Sequence, residues 1–168
     1  LRGEEIDVAE RHAFLYAAIR HAATIGMDYF TAGRQAVTSR EIDPYHLRFA
    51  AGAWYCIGYC HLRSEVRTFA LDRMMNLRET GATFRVPADF SVNEYLADSL
   101  ELERGEPHKV VIEFDASETP YIRGKQWHRT QVIEMEDDGS LRMTLTVGSI
   151  GEIKRWVMGL GSHAWVVE

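Results

Sequence analysis

The sequence predicts an α+β protein made of two parts. The first part is one helix followed by a small, strongly bent antiparallel β-barrel of five strands, and the second is a ferredoxin-like unit with the order βαββαβ. Three observations predict this: a helical repeat of apolar residues near the start, short alternating segments with tight turns after it, and strands that alternate with short helices near the end. The predicted boundaries are 1–80, a linker with a short helix at 81–107, and 108–168.

Length and composition favour a packed globular protein, because 46% of the 168 residues are hydrophobic. No apolar run approaches the roughly 18 to 20 residues needed to cross a bilayer, and the acidic first ten residues do not resemble a signal peptide. We therefore expect a cytoplasmic protein without membrane association. The chain begins with Leu1 and enters a helical pattern almost at once, which leads us to expect that an N-terminal neighbour is missing.

Residues Glu5–Ala23 are predicted to form an amphipathic helix. Apolar side chains recur there at spacings of three or four, the repeat that places them on one face of a helix. We expect that face to pack on the strands that follow. It consists of Ile6, Ala9, Ala13, Tyr16 and Ile19.

Five strands are predicted in the first part. Alternating apolar side chains define them, and turn residues such as Gly33 and Gly52 separate them. Asp43-Pro44 is expected to end the second strand, because proline cannot donate a hydrogen bond to a neighbouring strand. The predicted strands are Ile25–Tyr29, Gln35–Ile42, Tyr45–Phe49, Ala53–Leu62 and Val66–Leu77.

Capping patterns and turn residues predict the remaining elements. Ser91 and Ser149 each precede a glutamate by three residues, the capping-box pattern that begins a helix. Asp137-Asp138-Gly139 is expected to turn a hairpin. The predicted elements are a short helix 91–100, a charged boundary 101–107, a strand 108–114, a helix 117–124, hairpin strands 127–135 and 141–147, a helix 149–160 and a strand 163–167.

Motifs of the common enzyme classes are missing from the sequence. It contains no phosphate-binding P-loop, no Gly-x-Ser-x-Gly nucleophile elbow and no His-Glu-x-x-His zinc helix. Cys56 and Cys60 lie four residues apart with no second Cys or His pair at zinc spacing, so we expect both to be buried and reduced. We expect a protein that is not an enzyme and that uses neither a metal nor a cofactor.

The charge pattern points to one candidate anion site. The formal net charge of -6 argues against a general nucleic-acid-coating protein, because nonspecific affinity comes from Lys and Arg that neutralise phosphates. Arginines nevertheless cluster at Arg63, Arg67, Arg73 and Arg78. Neighbouring arginines repel each other unless anions or acidic side chains compensate. The first three are the predicted anion-binding set, whereas Arg78 is more typical of a solvated strand end.

The same segment predicts a nucleotide-like site. Arg67, Phe69, Leu71 and Arg73 alternate along one predicted strand, so two guanidinium groups are expected to flank an aromatic ring. One guanidinium group can bind two phosphate oxygens through parallel hydrogen bonds, and aromatic rings stack on bases. Residues on neighbouring strands are expected to complete the pocket. The predicted ligand-binding residues are Tyr29, Tyr45, His46, Tyr55, Arg63, Arg67, Phe69 and Arg73.

Structural roles compete with several of these assignments. Trp54 favours the core, Phe69 suits either the core or a stacking platform, and Arg73 suits an ion pair with Asp72. His46 can simply hydrogen-bond the turn at Pro44. In the second part, a basic and aromatic patch suits a solvated loop better than a contact with a ligand or a dimer partner: Arg123, Lys125, Trp127, His128 and Arg129.

The most specific pattern lies between residues 44 and 73. It contains Pro44-Tyr45-His46-Leu47, then Trp54-Tyr55-Cys56, then Arg67-Thr68-Phe69 and Asp72-Arg73. This layout resembles the WYL domain, a family named for a Trp-Tyr-Leu triplet. Cys56 stands where that family has leucine, and a small residue that buries readily is compatible with the fold. The resemblance spans roughly 19–78, and 108–168 resembles the extension that often follows WYL domains.

The resemblance implies an Sm-like barrel behind an N-terminal winged helix-turn-helix. Proteins of this family are thought to be bacterial transcription regulators in which a nucleotide-like or nucleic-acid ligand binds the WYL domain and changes DNA binding. Duplex DNA is then a partner through the missing domain, and we expect the extension to support a homodimer. Two other functions compete: a stand-alone module that binds single-stranded nucleic acid and, less favoured, a nucleotide-processing enzyme.

Overall fold

The structure is a computed structural model that describes residues 7–100 and 102–168. The chain divides into two compact units between Phe90 and Ser91. We call residues 7–90 the N-terminal unit and residues 91–168, without residue 101, the C-terminal unit. The predicted helix start at Glu5 and Ile6, and the first residue of the predicted charged boundary, Glu101, lie outside the described residues.

Helix α1 spans Val8–Arg20 and is capped by Asp7, whose side chain accepts a hydrogen bond from the backbone N–H of Ala9. The helix is confirmed, but its predicted buried face is wrong. Ala13 and Tyr16 are exposed, whereas Leu15 and Ala18 are buried against the sheet. Alanines on every side of this helix leave more than one apolar stripe in the sequence, and the sheet covers the stripe that contains Leu15 and Ala18.

Five antiparallel strands form the sheet of the N-terminal unit, in the order β4-β3-β2-β1-β5. The number of strands is as predicted only because two errors cancel: the second and third predicted strands form one strand, and the last predicted strand is two strands. A 3-10 turn at Leu71–Arg73 divides the last predicted strand into two. The strands are β1 Ala23–Thr31, β2 Ala36–Ala50, β3 Ala53–Cys60, β4 Glu65–Ala70 and β5 Met74–Thr83.

Strand β2 continues through Pro44, so the predicted break at Asp43-Pro44 is wrong. The pairing with β3 shifts register between Pro44 and His46, and this irregularity accommodates the missing proline N–H inside a central strand. Gly58 on β3 makes the close approach possible, because a Cβ atom there would lie 2.5 Å from the backbone oxygen of Asp43. The glycine therefore leaves room for the bulge, and strand β2 continues despite the proline.

Closure of this sheet into the predicted Sm-like barrel is not confirmed. Strands β4 and β5 are its two edges, and in the described part of the chain no backbone ladder joins them. The sheet is nevertheless strongly bent. Tyr29 on β1 accepts a hydrogen bond from the backbone N–H of Ala70, at the end of β4, at 3.2 Å. The concave face and α1 enclose one core, whose largest fully buried members include Leu15, Ile25, Met27, Ile42, Phe69, Leu71 and Met74.

The C-terminal unit contains a four-stranded antiparallel sheet in the order β7-β8-β6-β9. A short helix, α2, precedes it, and the order of the elements that follow is βαββαβ, as predicted. Strand β7 begins later than predicted, because residues 127–131 form a loop. The elements are α2 Val92–Tyr95, β6 His108–Phe114, α3 Thr119–Ile122, β7 Val132–Met135, β8 Leu141–Val147, α4 Ile150–Met158 and β9 Ala164–Val166.

Both predicted serine caps are confirmed in the C-terminal unit. Ser91 accepts a hydrogen bond from the N–H of Glu94, and Ser149 accepts one from the N–H of Glu152. Helix α4 then packs Ile153 and Val157 against the sheet, where Phe114 and Met143 are fully buried. None of the described helices is long and apolar enough to span a membrane.

Candidate functional site

Two of the predicted ligand-binding residues, Tyr29 and Phe69, lie in the core of the N-terminal unit. Their side chains leave only 8% and 1% of the residue surface exposed. The two rings meet edge to face with centroids 5.1 Å apart. A ring buried in this way contributes to packing, so the core explanation weighed for Phe69 describes its position in the structure.

Arg40, which the sequence patterns did not single out, lies above these two rings. It occupies the core face of β2 opposite Met27 and is only 8% exposed. Its guanidinium carbon is 5.3 Å from the centroid of Tyr29 and 5.7 Å from the centroid of Phe69. The only signal in the sequence was its place in the alternation of β2, where it follows Thr38 and precedes Ile42 on the same face.

The predicted arginine set is only partly brought together. Arg67 and Phe69 share one face of β4, but the strand ends at Ala70, so the predicted alternation of Leu71 and Arg73 along it is wrong. Arg73 instead closes the 3-10 turn and is exposed. Arg63 is exposed in the turn between β3 and β4. All three arginines lie on the segment that begins at that turn and ends where β5 begins.

Arg67 is the arginine of this set that forms an ion pair. Its Nη1 atom lies 2.9 Å from Oε1 of Glu65, two residues earlier, and both side chains are largely exposed. An exposed pair of this kind contributes about 0–1 kcal/mol. The ion pair therefore leaves Arg67 available to an anionic ligand at little cost.

His46 and Tyr55 lie on the opposite face of the sheet from Phe69. His46 pairs with Ile57 on β3, which in turn pairs with Thr68 on β4. Arg48 pairs with Tyr55 on β3. Two polar atoms on this face, Nε of Arg48 and Oγ1 of Thr68, are buried without a hydrogen-bond partner. The eight predicted residues therefore do not line one pocket. Arg48 belongs to none of the motifs, and Thr68, although part of Arg67-Thr68-Phe69, was not predicted as a site residue.

Tyr45 takes part in an aromatic cluster at the bulge of β2. Its ring centroid lies 5.6 Å from that of Phe84 and 5.0 Å from that of Phe90. Burial raises the pKa of the Tyr45 hydroxyl, and the negative charge of Asp43 raises it further. The hydroxyl is therefore a neutral hydrogen-bonding group at neutral pH.

A buried carboxylate next to this cluster was also missed. Asp43 is 7% exposed, and its Oδ1 atom accepts a hydrogen bond of 2.6 Å from the hydroxyl of Thr24. Nε2 of His61 lies 2.9 Å from the same oxygen. These contacts tie the start of β1 and the end of β3 to the bulge, so they hold the bend of the sheet.

Arg78 is separated from the other arginines by its place on β5. It crosses Gly26 on β1, where a Cβ atom would lie 2.8 Å from Nε of Arg78. Its Nη2 atom then donates to Oγ of Ser39 on β2 at 3.2 Å. Arg78 is exposed, as predicted. Its side chain also spans three strands on the face opposite the core.

The basic and aromatic patch of the C-terminal unit has structural contacts. Trp127 packs on Trp156 with centroids 5.0 Å apart and donates from Nε1 to the backbone oxygen of Ile122 at 3.2 Å. His128 is 4% exposed, and burial lowers its pKa. Arg129 lies 2.7 Å from Asp98. Trp127 therefore packs on the core of this unit, and the buried His128 also departs from the solvated loop predicted for this patch.

The two cysteines are buried, as expected. Burial raises the pKa of the Cys56 thiol to about 12. Because the thiolate is the reactive form of cysteine, this side chain acts as a small apolar member of the core. The substitution of the family's leucine by Cys56 therefore leaves the core face of β3 apolar.

The class of protein is defined by two features. The N-terminal unit is a bent five-stranded sheet that carries exposed arginines, and the C-terminal unit has the element order βαββαβ. Residues 11–79 match the family model of the WYL domain, and residues 106–168 match that of the WCX domain. The chain therefore contains a WYL domain followed by a WCX domain, which confirms the resemblance found in the sequence.

Two proteins from bacteria are similar to this chain in sequence. YobV of Bacillus subtilis, described as an uncharacterized HTH-type transcriptional regulator, is 40% identical over 68 residues, which are 40% of this chain and 21% of that protein. The protein PafC of Mycobacterium leprae is 26% identical over 160 residues, 94% of this chain and 48% of that protein. The chain thus spans less than half the length of these relatives.

A solved structure supports the fold. The crystal structure of a CRISPR Cas-related protein aligns with a TM-score of 0.57 and 11% identity, over 96% of this chain and 48% of that chain. At this identity the likeness concerns the arrangement of helices and strands and not the function.

Proposed function

We propose that this chain is the ligand-sensing region of a bacterial DNA-binding transcription regulator and has no catalytic role. Two findings support this: the succession of a WYL and a WCX domain, and the similarity of residues in this chain to an HTH-type transcriptional regulator. The chain acts in the cytoplasm as a homodimer, and duplex DNA binds through a domain outside this sequence.

The ligand of the proposal is a nucleotide or a single strand of nucleic acid. The observation that carries it is the exposure of Arg63 and Arg73, which have no carboxylate within 4.0 Å among the described residues, beside the weakly paired Arg67. An exposed guanidinium group can bind two oxygens of one phosphate through parallel hydrogen bonds. The bent sheet, interpreted as an Sm-like barrel, carries this segment, whereas His46 and Tyr55 lie on the opposite face from Arg67 and are outside this site. The rings of Tyr29, Tyr45 and Phe69 contribute by packing, which fixes the strands that carry the ligand-binding side chains.

Ligand binding changes the affinity for the operator by a population shift. A ligand that binds one arrangement of the regulator more tightly than another shifts the equilibrium toward it by that difference in free energy. The WYL domain at 1–80 holds the ligand. Residues 81–107 connect it to the unit at 108–168, which supports the dimer. Operator affinity then follows the occupancy of the sensor.

The proposal is tested by measuring binding of fluorescent single-stranded oligonucleotides and mononucleotides to the chain. Changing Arg67 and Arg73 together to alanine is expected to lower the affinity about tenfold or more. The slope of log K against log salt is expected to fall by roughly 0.7 for each phosphate of a single strand that the variant no longer neutralises. The matched control changes Arg129 and Arg142 to alanine, which removes the same charge from the C-terminal unit and leaves the affinity unchanged.

Two outcomes would contradict the proposal. Equal decreases in affinity in the arginine variant and in its control would mean that overall charge, and not this segment, attracts the ligand. Strong binding of every strand irrespective of sequence, with a steep salt dependence and no effect on the operator affinity of the full-length regulator, would favour the stand-alone nucleic-acid-binding module.

A further inference from the structure

We infer that Arg40 forms a phosphate-binding subsite near the turn of the β1–β2 hairpin. The inference rests on the proposed function, because it assigns one chemical group of the ligand to one buried side chain. The position that a base would occupy above Tyr29 and Phe69 is filled by the Arg40 guanidinium, 5.3 and 5.7 Å from their centroids. These rings therefore support a cation and do not stack on a base.

The environment of Arg40 lacks the anion that a buried cation requires. The residue is 8% exposed, and within the described residues no carboxylate lies within 4.0 Å of its guanidinium. Burying a charge without a counter-charge is costly. The rings offset part of this cost, because a cation is attracted to the faces of aromatic rings. An anionic ligand would supply the rest.

The hydrogen bonds of Arg40 show which edge of the guanidinium faces a ligand. Nε donates to Oγ1 of Thr38 at 2.9 Å, and Nη2 donates to Oγ1 of Thr31 at 3.3 Å. A guanidinium has five N–H groups, and among the described contacts the two on Nη1 have no acceptor. Each threonine hydroxyl that accepts from Arg40 keeps its own hydrogen to donate.

This arrangement fits a phosphate group. The Nη1 edge and the two hydroxyl groups together present donors to several oxygens of one anion, which matches phosphate better than a carboxylate with two oxygens. Thr31 and Thr38 are half-buried and flank the hairpin turn, so the donors are reached from outside the core. Arg40 is buried, whereas Arg63 and Arg73 are exposed.

The first experiment measures the melting temperature of the chain in sodium phosphate and in sodium chloride at equal ionic strength. Phosphate is expected to raise it by about 2–4 °C when present at several times its dissociation constant. Arg40→Gln abolishes the phosphate-dependent shift, and Thr38→Val reduces it. Arg34→Gln, which removes an exposed arginine from the same hairpin, keeps the full shift. If Arg40→Gln does not fold, Arg40→Lys and Thr38→Val decide the question.

A second experiment separates a terminal phosphate from an internal one. Binding of a short oligonucleotide with a 5′-phosphate is compared with its 5′-hydroxyl counterpart, and a preference of about tenfold that Arg40→Lys removes supports a terminal phosphate. Equal binding of both strands that falls in Arg40→Lys supports a backbone phosphate.

The inference is overturned if phosphate raises the melting temperature of Arg40→Gln, or of Thr38→Val where Arg40→Gln does not fold, as much as that of the unchanged chain. It is also overturned if phosphate acts no differently from chloride. The proposed function would survive either result as long as changing Arg67 and Arg73 still lowers oligonucleotide affinity. Absence of that effect with the phosphate shift intact would contradict the proposed function alone.

Discussion

The two units differ in how they treat their charged side chains. Residues 1–90 contain 11 arginines, no lysine and 11 acidic residues, whereas residues 91–168 contain 8 basic and 14 acidic residues, so the second half carries the whole net charge of -6. In the described part of the N-terminal unit, Arg67–Glu65 is the one arginine–carboxylate pair. In the C-terminal unit Arg129, Arg142 and Arg155 each contact an acidic side chain.

The difference shows that charge balance and charge pairing are separate properties. The N-terminal unit has one acid for every arginine but leaves most of its arginines apart from them. The C-terminal unit has an excess of acid and uses it to hold loops and strands together. We therefore expect substitutions of charged residues to affect ligand binding in the N-terminal unit and stability in the C-terminal unit.

The largest expected effect is on a buried acid of the C-terminal unit. Oε1 of Glu152 accepts hydrogen bonds of 2.7 Å from the backbone N–H groups of Leu102 and Glu103, and the residue is 8% exposed. Glu152→Ala leaves buried donors without acceptors and is expected to lower the free energy of unfolding by about 2–4 kcal/mol. Chemical denaturation measures it. Arg155→Ala, which breaks an exposed pair with Glu103, should cost at most about 1 kcal/mol.

Asp43 offers the corresponding test in the N-terminal unit. Asp43→Ala removes the acceptor of the buried Thr24 hydroxyl and is expected to cost about 1–3 kcal/mol, measured by the same denaturation. His61→Ala, which removes the more exposed partner, should cost less. A cost for Asp43→Ala as small as that of an exposed pair would mean that the bulge does not depend on this carboxylate.

Acid should destabilise the C-terminal unit through His128. Burial lowers the pKa of His128 below its ordinary value of 6.5, so the unfolded chain takes up a proton before the folded chain does. Stability is therefore expected to fall as the pH drops below about 6.5 toward the folded-state pKa. His128→Gln should flatten the dependence of the melting temperature on pH between about 7.5 and 5.

His163 provides a comparison of opposite sign. Its hydrogen bond to Asp115, together with the charge of that carboxylate, raises its pKa above 6.5. Its contribution to stability is then complete below pH 6.5 and is lost as the pH rises through the folded-state pKa. His163→Gln should therefore lower the melting temperature more at pH 5.5 than at pH 8. A pH dependence of the same sign in both histidine variants would contradict the assignment.

The smallest effect on stability is expected for the exposed arginines. Arg63→Ala and Arg73→Ala remove side chains that form no ion pair in the described residues and should change the free energy of unfolding by less than about 0.5 kcal/mol. The same variants should lower oligonucleotide affinity. A decrease in stability above about 1 kcal/mol would show that these arginines hold the fold and would weaken the contrast between the two units.

Sequence reasoning predicted most of the fold because its signals are local. Alternation of apolar residues predicted five strands, and Ser91 and Ser149 predicted the starts of α2 and α4. The errors also have local causes. Pro44 was expected to end a strand, and only the pairing of Gly58 with the bulge shows why β2 continues.

The candidate site was harder to predict than the fold. The motif around Arg67 and Phe69 located the WYL domain, which the family model confirms. It did not show that the strand ends at Ala70, which moves Arg73 off the predicted face, or that His46 and Tyr55 lie on the other side of the sheet. Arg40 and Arg48 belong to no motif, Thr68 lies inside one, and only burial in the structure distinguishes these three residues.

By itself, the sequence determined the two-part organisation, the kind of each element and the presence of a WYL domain, because these depend on residue order and spacing. The tertiary structure decided which side chains share an environment. Strands distant in the sheet order, such as β1 and β4, meet only when the sheet bends, and this bend places the rings of Tyr29 and Phe69 beneath Arg40. Contacts across a bent sheet depend on register and curvature, which no local pattern encodes.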